Sequence, residues 1–129
     1  MILDAGVLVS IDRGERVAKT VARLAYDGSV PLHTSQAVVA QVWRDGARQA
    51  RLARFLRSVA IHPLDDGREV GRVLRVSGTS DVVDAHLGLL AERWRDAILT
   101  GDVDDLTRVG SALTPPPAII PWPPPPRNR

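Results

Sequence analysis

The sequence predicts an α/β fold, a three-layer sandwich with a mostly parallel central sheet and helices on both faces. Short apolar segments alternate along the chain with longer segments of helical periodicity, and this alternation is typical of strand–helix–strand units. The 129 residues fit one domain with a single core. With 44% hydrophobic and 25% charged residues, the composition is that of an ordinary folded domain.

The predicted strands are short and apolar. The first runs directly into Asp4, and the fourth ends in Gly101-Asp102. Two others contain Pro31 or Pro63 close to one end, where the missing N–H is tolerated. The predicted strands comprise residues 1–3, 30–34, 59–64, 97–100 and, at an edge of the sheet, 118–120.

The segments between the strands have helical spacing of apolar residues. Ser35 is the predicted N-cap of a long helix that reaches about residue 58, with Gly46 as a point of bending. The loop 77–81 is dense in capping residues and opens a helix that ends at Trp94. The other predicted helical segments are residues 5–10, 14–25, 67–76 and 106–113.

Composition excludes several classes of protein. The chain has no cysteine, which excludes disulfides, zinc–thiolate sites and thiol catalysis. No apolar run approaches the ~18 residues of a membrane span, and the N-terminus lacks the pattern of a signal peptide. We therefore expect a cytoplasmic protein. Eight of the ten prolines lie from Pro115 onward, and the predicted organisation is a domain of residues 1–121 followed by a proline-rich tail, 122–129.

Aspartates follow two of the predicted strands. Asp4 and Asp102 each lie at a carboxyl end, where parallel sheets bind ligands, so their carboxylates meet if the strands are neighbours. Asp81 and Asp84 share one face of a helix, and Asp105 lies close to Asp102. A buried acid beside an apolar strand is costly without a partner. Clustered carboxylates repel one another, and a divalent cation such as Mg²⁺ or Mn²⁺ relieves that repulsion. In the alternative interpretation these acids are independent helix caps and turn residues.

Four sequence segments together resemble the PIN domain, and specifically the VapC-like toxins of bacterial toxin–antitoxin pairs. They are LDAGVLVS, SQAVVAQVWR, SDVVDAHLGLLA and ILTGDVDDL, and the resemblance covers roughly residues 2–121. It implies a PIN-like parallel α/β sandwich and a Mg²⁺- or Mn²⁺-dependent endoribonuclease. It also implies RNA as substrate, an antitoxin as partner and a homodimer.

The resemblance assigns site residues by their position in these motifs. The predicted catalytic acids are Asp4, Asp84 and Asp102, which would also ligate the metal. Asp105 and Asp81 are predicted as further metal ligands. Thr100, in the LTGD motif, would orient Asp102 or the metal's surroundings.

Two positions depart from the family pattern. Gln41 stands where a glutamate is usual, and an amide oxygen still ligates a metal but supplies no charge and no base. Gly6 stands where a hydroxyl residue is common. The alternative prediction is therefore a catalytically impaired PIN-like domain that binds RNA or an antitoxin. A phosphohydrolase similar to the haloacid dehalogenases, with Asp4 as nucleophile, is disfavoured because Gly6 replaces the second aspartate that such enzymes need.

Arginines recur every three or four residues from Arg44 to Arg57. On one continuous helix they would lie along the side that carries Gln41. Arg44 and Arg48 are the predicted contacts to RNA phosphates, and a solvated helix face or an antitoxin's acidic groups are the alternatives. The three histidines are predicted as strand-end or surface residues, and Trp122 either packs back on the domain or marks a partner site.

Overall fold

A five-stranded sheet lies at the centre of the molecule, and every pair of neighbouring strands in it is parallel. The computed structural model describes residues 1–126. The strand order is β3-β2-β1-β4-β5. The strands are β1 (Ile2–Leu3), β2 (His33–Ser35), β3 (Ala60–His62), β4 (Ile98–Thr100) and β5 (Ile119–Pro121).

Helices connect the strands, and within residues 1–126 there are seven α-helices and one short 3₁₀ helix, Arg16–Ala18. The α-helices are α1 (Ala5–Asp12), α2 (Lys19–Asp27), α3 (Gln36–Val42), α4 (Ala50–Leu56), α5 (Gly67–Ser77), α6 (Val82–Trp94) and α7 (Val103–Gly110). The first four pack with one another, and α5, α6 and α7 form a second packed group. The predicted three-layer α/β sandwich is confirmed.

The order of the strands reverses its direction between β1 and β4. The chain first builds outward through β2 and β3 and then returns to place β4 on the other side of β1. Ile2 pairs with Ile98, and Leu3 pairs with Leu99. The crossover puts α1 and α7, which follow these two strands, in different helix groups. The carboxyl ends of β1 and β4 are thus at the reversal of strand order, where open parallel sheets bind ligands.

Apolar side chains of the strands and inner helix faces form the main core. Ile2, Leu3, Leu8, Leu87 and Ile98 are fully buried in it. A second, smaller cluster joins α5, α6 and α7. The main core immobilises β1 and β4, and therefore fixes the backbone on which the predicted acids stand.

The predicted long helix from Ser35 to about residue 58 is wrong. The chain leaves the helical conformation after α3 and resumes it only at α4. The buried side chain of Gln49 stabilises the break, because its Oε1 accepts from the backbone N–H groups of Arg44 and Asp45 at 2.7 and 3.0 Å. Its Nε2 donates to the carbonyl of Val42 at 3.0 Å. An interior amide thus replaces the missing helical hydrogen bonds.

Other boundaries differ by a few residues. The last helix begins at Val103 rather than at 106, and the segment 14–25 is a 3₁₀ turn followed by α2. In the described part of the chain, no helix has both the length and the apolarity that crossing a membrane requires. Trp122, in the predicted tail, is buried in the main core. Residues 127–129 of that tail lie outside the described residues.

Candidate metal centre

Asp4 lies at the carboxyl end of β1, beside the end of β4. Its backbone N–H donates to the carbonyl of Leu99 at 3.0 Å. The carboxylate is buried and accepts two hydrogen bonds, from the backbone N–H of Ala5 at 2.7 Å and from the Thr100 hydroxyl at 2.6 Å. The Thr100 oxygen in turn accepts from the backbone N–H of Asp102 at 2.9 Å. One hydroxyl therefore connects the two segments that carry Asp4 and Asp102.

Asp81 and Asp84 reach the same region from the start of α6. Asp81 is the N-cap, and its side chain accepts from the backbone N–H of Asp84 at 3.0 Å. Asp84 is buried in the first turn, whereas Asp81 is exposed. The predicted capping role of Asp81 and its predicted proximity to Asp84 are therefore both observed.

The carboxylates influence one another's ionisation. Burial, and then the charges of Asp81, Asp4, Asp102 and Asp105, raise the pKa of Asp84 from 3.8 to about 7. Burial, and then the charges of Asp4, Asp105 and Asp81, raise the pKa of Asp102. The charges of the other predicted acids therefore reach Asp84 and Asp102 and disfavour their ionised forms. This is the electrostatic condition under which a cation is favourable.

Three helices begin at this cluster. Asp4 is the N-cap of α1, Asp81 that of α6 and Asp102 that of α7, which also carries Asp105 in its first turn. Each helix start presents a partial positive charge that stabilises nearby carboxylates. The side chain of Asp102 makes no capping hydrogen bond within the described residues. Its carboxylate is exposed to solvent.

The donors present suit a hard divalent cation. All five predicted ligands offer carboxylate oxygens, which Mg²⁺ and Mn²⁺ prefer, and the raised pKa values identify charge that a cation would compensate. Within residues 1–126, however, no three acidic or histidine side chains lie close enough together to hold a metal ion as they are placed. Asp4 and Asp84 are buried, whereas Asp81, Asp102 and Asp105 are exposed.

The structure does not bring every predicted residue to the cluster. Gln41 is exposed on α3, and no hydrogen bond joins it to the acids in the part of the chain that the structure describes. Arg44 and Arg48 lie in the break between α3 and α4, so the continuous arginine face was wrong. The Arg44 guanidinium donates to the carbonyls of Ala40 and Trp43 at 2.9 and 2.6 Å.

One contribution to the region was not predicted. His86 is buried on α6, not at the surface, and its Nδ1 lies 2.6 Å from the hydroxyl of Ser35. Burial lowers the pKa of His86, which favours the neutral ring in this contact. The contact connects β2 to α6 two residues beyond Asp84. The sequence signal was the histidine's position inside an apolar helix segment.

The strand order and the two helix layers are those of a PIN fold, as the sequence motifs predicted. The chain is similar in structure to a chain in the crystal structure of VapBC2 from Rickettsia felis bound to a DNA fragment from their promoter. The TM-score is 0.63, the sequence identity is 15%, and the match covers 94% of this chain and 97% of that chain. No protein-family model and no curated protein matches the sequence. The likeness at this identity establishes the fold.

Proposed function

We propose that the protein is a metal-dependent endoribonuclease, the toxin of a toxin–antitoxin pair. The proposal is supported by the hydrogen bonds through which Thr100 links the Asp4 carboxylate to the backbone of Asp102. It is supported also by burial and neighbouring acids, including Asp4 and Asp102, which raise the pKa of Asp84 to about 7. A protein retains such a repulsive group of acids when a cation bound among them compensates the charge. The PIN fold and its VapBC2 neighbour support the same class of activity.

The roles of the residues follow from their positions. Asp4, Asp84 and Asp102 would bind Mg²⁺ or Mn²⁺, assisted by Asp81 and Asp105. When bound, such a cation would stabilise negative charge on a phosphodiester oxygen and lower the pKa of the attacking water. Thr100 fixes the orientation of the Asp4 carboxylate through its 2.6 Å hydrogen bond. Burial of Asp4 and Asp84 keeps the inner side of the cluster away from bulk water, which strengthens each electrostatic contact.

Cleavage of a structured RNA pool tests this activity. The purified protein is incubated with Mn²⁺ or Mg²⁺ and, in parallel, with EDTA. We expect cleavage that requires the metal and is lost in Asp4→Asn. Asp104→Asn is the matched control, because Asp104 is an exposed acid in the first turn of α7 and is not among the charges that raise the pKa of Asp84. Equal loss in both variants would contradict the site assignment.

The second candidate function is an RNA- or antitoxin-binding module without catalysis. Gln41 favours it, since the amide stands where the family pattern has a glutamate and supplies neither a charge nor a base. RNA binding that persists in EDTA, with no cleavage in any metal, would support this candidate and contradict the first.

A cationic groove is the proposed contact for the antitoxin. It has a volume of about 310 Å³ and lies between the end of α1, α2 and α4. Lys19, Arg51 and Arg54 line it, and none of the three forms an ion pair within residues 1–126. One acid, Glu15, also lines the groove, and it pairs with Arg13. The Arg54 guanidinium lies 4.7 Å from the ring centre of Tyr26. These features suit a segment that carries both carboxylates and apolar side chains.

Charge reversal tests the groove with a candidate antitoxin, which is to be sought among the products of neighbouring genes. Arg54→Glu is expected to weaken the complex, measured by calorimetry, and Arg75→Glu on α5 is the charge-matched control in the other helix group. Equal affinities of the Arg54→Glu and Arg75→Glu variants for the antitoxin would show that the groove is not part of the interface.

Homodimerisation, implied by the family resemblance, stays a prediction that light scattering of the free protein checks.

A further inference from the structure

Trp122 directly follows the edge strand β5 and contacts the two segments that carry Asp4 and Asp102. It is 7% exposed, the most buried residue of the predicted tail among those described. Its backbone N–H donates to the carbonyl of Thr100 at 2.8 Å. The pairing between β4 and β5 therefore continues one residue beyond the end of β5.

The indole ring lies along the first turns of α1. Its Nε1–H donates to the hydroxyl of Ser10 at 3.1 Å. Its Cδ1 lies 3.7 Å from the point where a Cβ on Gly6 would stand. Gly6 and Ser10 are four residues apart and share one side of the helix, so the ring spans a full turn of α1 immediately after Asp4.

The backbone of Trp122 also approaches the turn that carries Asp102. A Cβ on Gly101 would lie 3.3 Å from the Trp122 carbonyl oxygen. Gly101 joins Thr100 to Asp102, and its lack of a side chain permits this close approach. One residue therefore contacts the helix that begins at Asp4 and the turn that leads to Asp102.

We propose that Trp122 is a positioning residue for the acidic cluster, one that fixes the separation of the Asp4 and Asp102 carboxylates and thereby sets the affinity for a divalent cation. The inference rests on the proposed metal-dependent function. α1 meets β1 in a single residue, Asp4, so a ring packed along the helix restricts its tilt. Residues outside a metal's ligand shell typically change affinity by about 10-fold to 100-fold when they orient the ligands.

A purely structural role makes a different prediction. Loss of a buried aromatic ring lowers stability wherever it lies, but a core residue without a link to the site leaves the affinity of the folded protein for metal unchanged. The control is Val73→Ala on α5, because Val73 is fully buried in the second cluster and α5 carries none of the five acids. Trp122→Phe keeps most of the ring and removes the N–H donor.

The experiment measures Mn²⁺ affinity by paramagnetic resonance of the free ion, with each protein at a temperature where circular dichroism finds it folded. Trp122→Ala is expected to weaken Mn²⁺ binding by about 10-fold or more, with Trp122→Phe and Ser10→Ala intermediate and Val73→Ala unchanged. In RNA cleavage, the metal concentration for half-maximal rate rises by the same factor while the KM for RNA stays constant. If Trp122→Ala does not fold, Trp122→Phe and Ser10→Ala carry the test.

Two negative results are distinguishable. A wild-type protein that binds no Mn²⁺ overturns the proposed function together with this inference. A wild-type protein that binds Mn²⁺, with unchanged affinity in the folded Trp122 and Ser10 variants, overturns the positioning role alone. A shift in Val73→Ala as large as that in Trp122→Phe also overturns it, because affinity would then follow stability in general.

Discussion

The hydroxyl of Thr100 donates to the carboxylate of Asp4 at 2.6 Å, across two neighbouring parallel strands and 96 residues of sequence. The same oxygen accepts the backbone N–H of Asp102 at 2.9 Å. Thr100 itself is fully buried. The orientation of one acid and the start of the helix that bears the other therefore depend on a single side chain.

Thr100→Val preserves the shape of this side chain and removes both hydrogen bonds. We expect a loss of about 1–3 kcal/mol in the free energy of unfolding, because a buried carboxylate oxygen and a backbone N–H lose their partner. Urea unfolding measures the loss. Thr100→Ser retains the hydroxyl and should retain both the stability and the metal-dependent cleavage. A Ser variant as impaired as the Val variant would show that the methyl group matters rather than the hydrogen bonds.

The raised pKa of Asp84 gives the protein a specific dependence on pH. Between the ordinary value of 3.8 and about 7, folded Asp84 retains a proton that the unfolded chain has released. The stabilising contribution of this group is fully present below about pH 4 and is lost as the pH rises through 7. The free energy of unfolding of the metal-free protein, relative to that of Asp84→Asn, should therefore fall from pH 5 to pH 8.

Asp84→Asn is the necessary reference because the buried histidines change the stability of the protein with pH in the opposite direction to Asp84. Burial lowers the pKa values of His33 and His86, so their contribution to stability falls on acidification. The proposed metal site requires ionised carboxylates, so added Mn²⁺ should stabilise the protein more at pH 8 than at pH 5. A pH-independent difference between wild type and Asp84→Asn would contradict the assigned pKa.

Gln41→Glu tests the departure from the family pattern. If the side chain of residue 41 reaches the cluster, a carboxylate there should increase the affinity of the protein for Mn²⁺. It should also increase the rate of RNA cleavage, measured at saturating RNA. Gln36→Glu places the same new charge at another exposed position of α3 and serves as the control. Equal effects in the two variants would mean that residue 41 acts only through general electrostatics.

Gln49→Ala should destabilise the break between α3 and α4. The variant leaves the backbone N–H groups of Arg44 and Asp45 and the carbonyl of Val42 without the partner that they now have. We expect a loss of about 1–3 kcal/mol, measured by urea unfolding. Gln36→Ala, at an exposed position, is expected to be close to neutral. A neutral Gln49→Ala would mean that water replaces the amide at little cost.

Much of the fold was predictable because its strands are short apolar segments that alternate with helices. The pairing of Asp4 with Asp102 followed from the rule that acids at the ends of adjacent parallel strands converge, and the register of Leu3 with Leu99 satisfies the condition of adjacency. Thr100 was predicted only by resemblance to the family motif, since nothing local distinguishes a buried hydroxyl partner from an ordinary strand residue.

The unpredicted features depend on side-chain contacts that neither periodicity nor composition indicates. Helical periodicity continues through residues 43–49, whereas the helix stops there because Gln49 turns inward to bond the backbone. The sequence provided only Gly46 as a signal of bending. Trp122 lies in a proline-rich segment whose composition resembles a tail, and its burial depends on Gly6 and Ser10, more than a hundred residues earlier.

The distance in sequence between Asp4 and its partners has a consequence for biosynthesis. β1 can pair with β2 early, but its pairing with β4 requires nearly one hundred further residues, and Trp122 comes later still. Contacts of such separation form late, after the loop-closure entropy has been overcome. A chain emerging from the ribosome therefore carries Asp4 long before it contains Thr100 and Asp102, whereas Asp84 precedes them only shortly. The acidic group becomes complete only when nearly one hundred residues have followed Asp4.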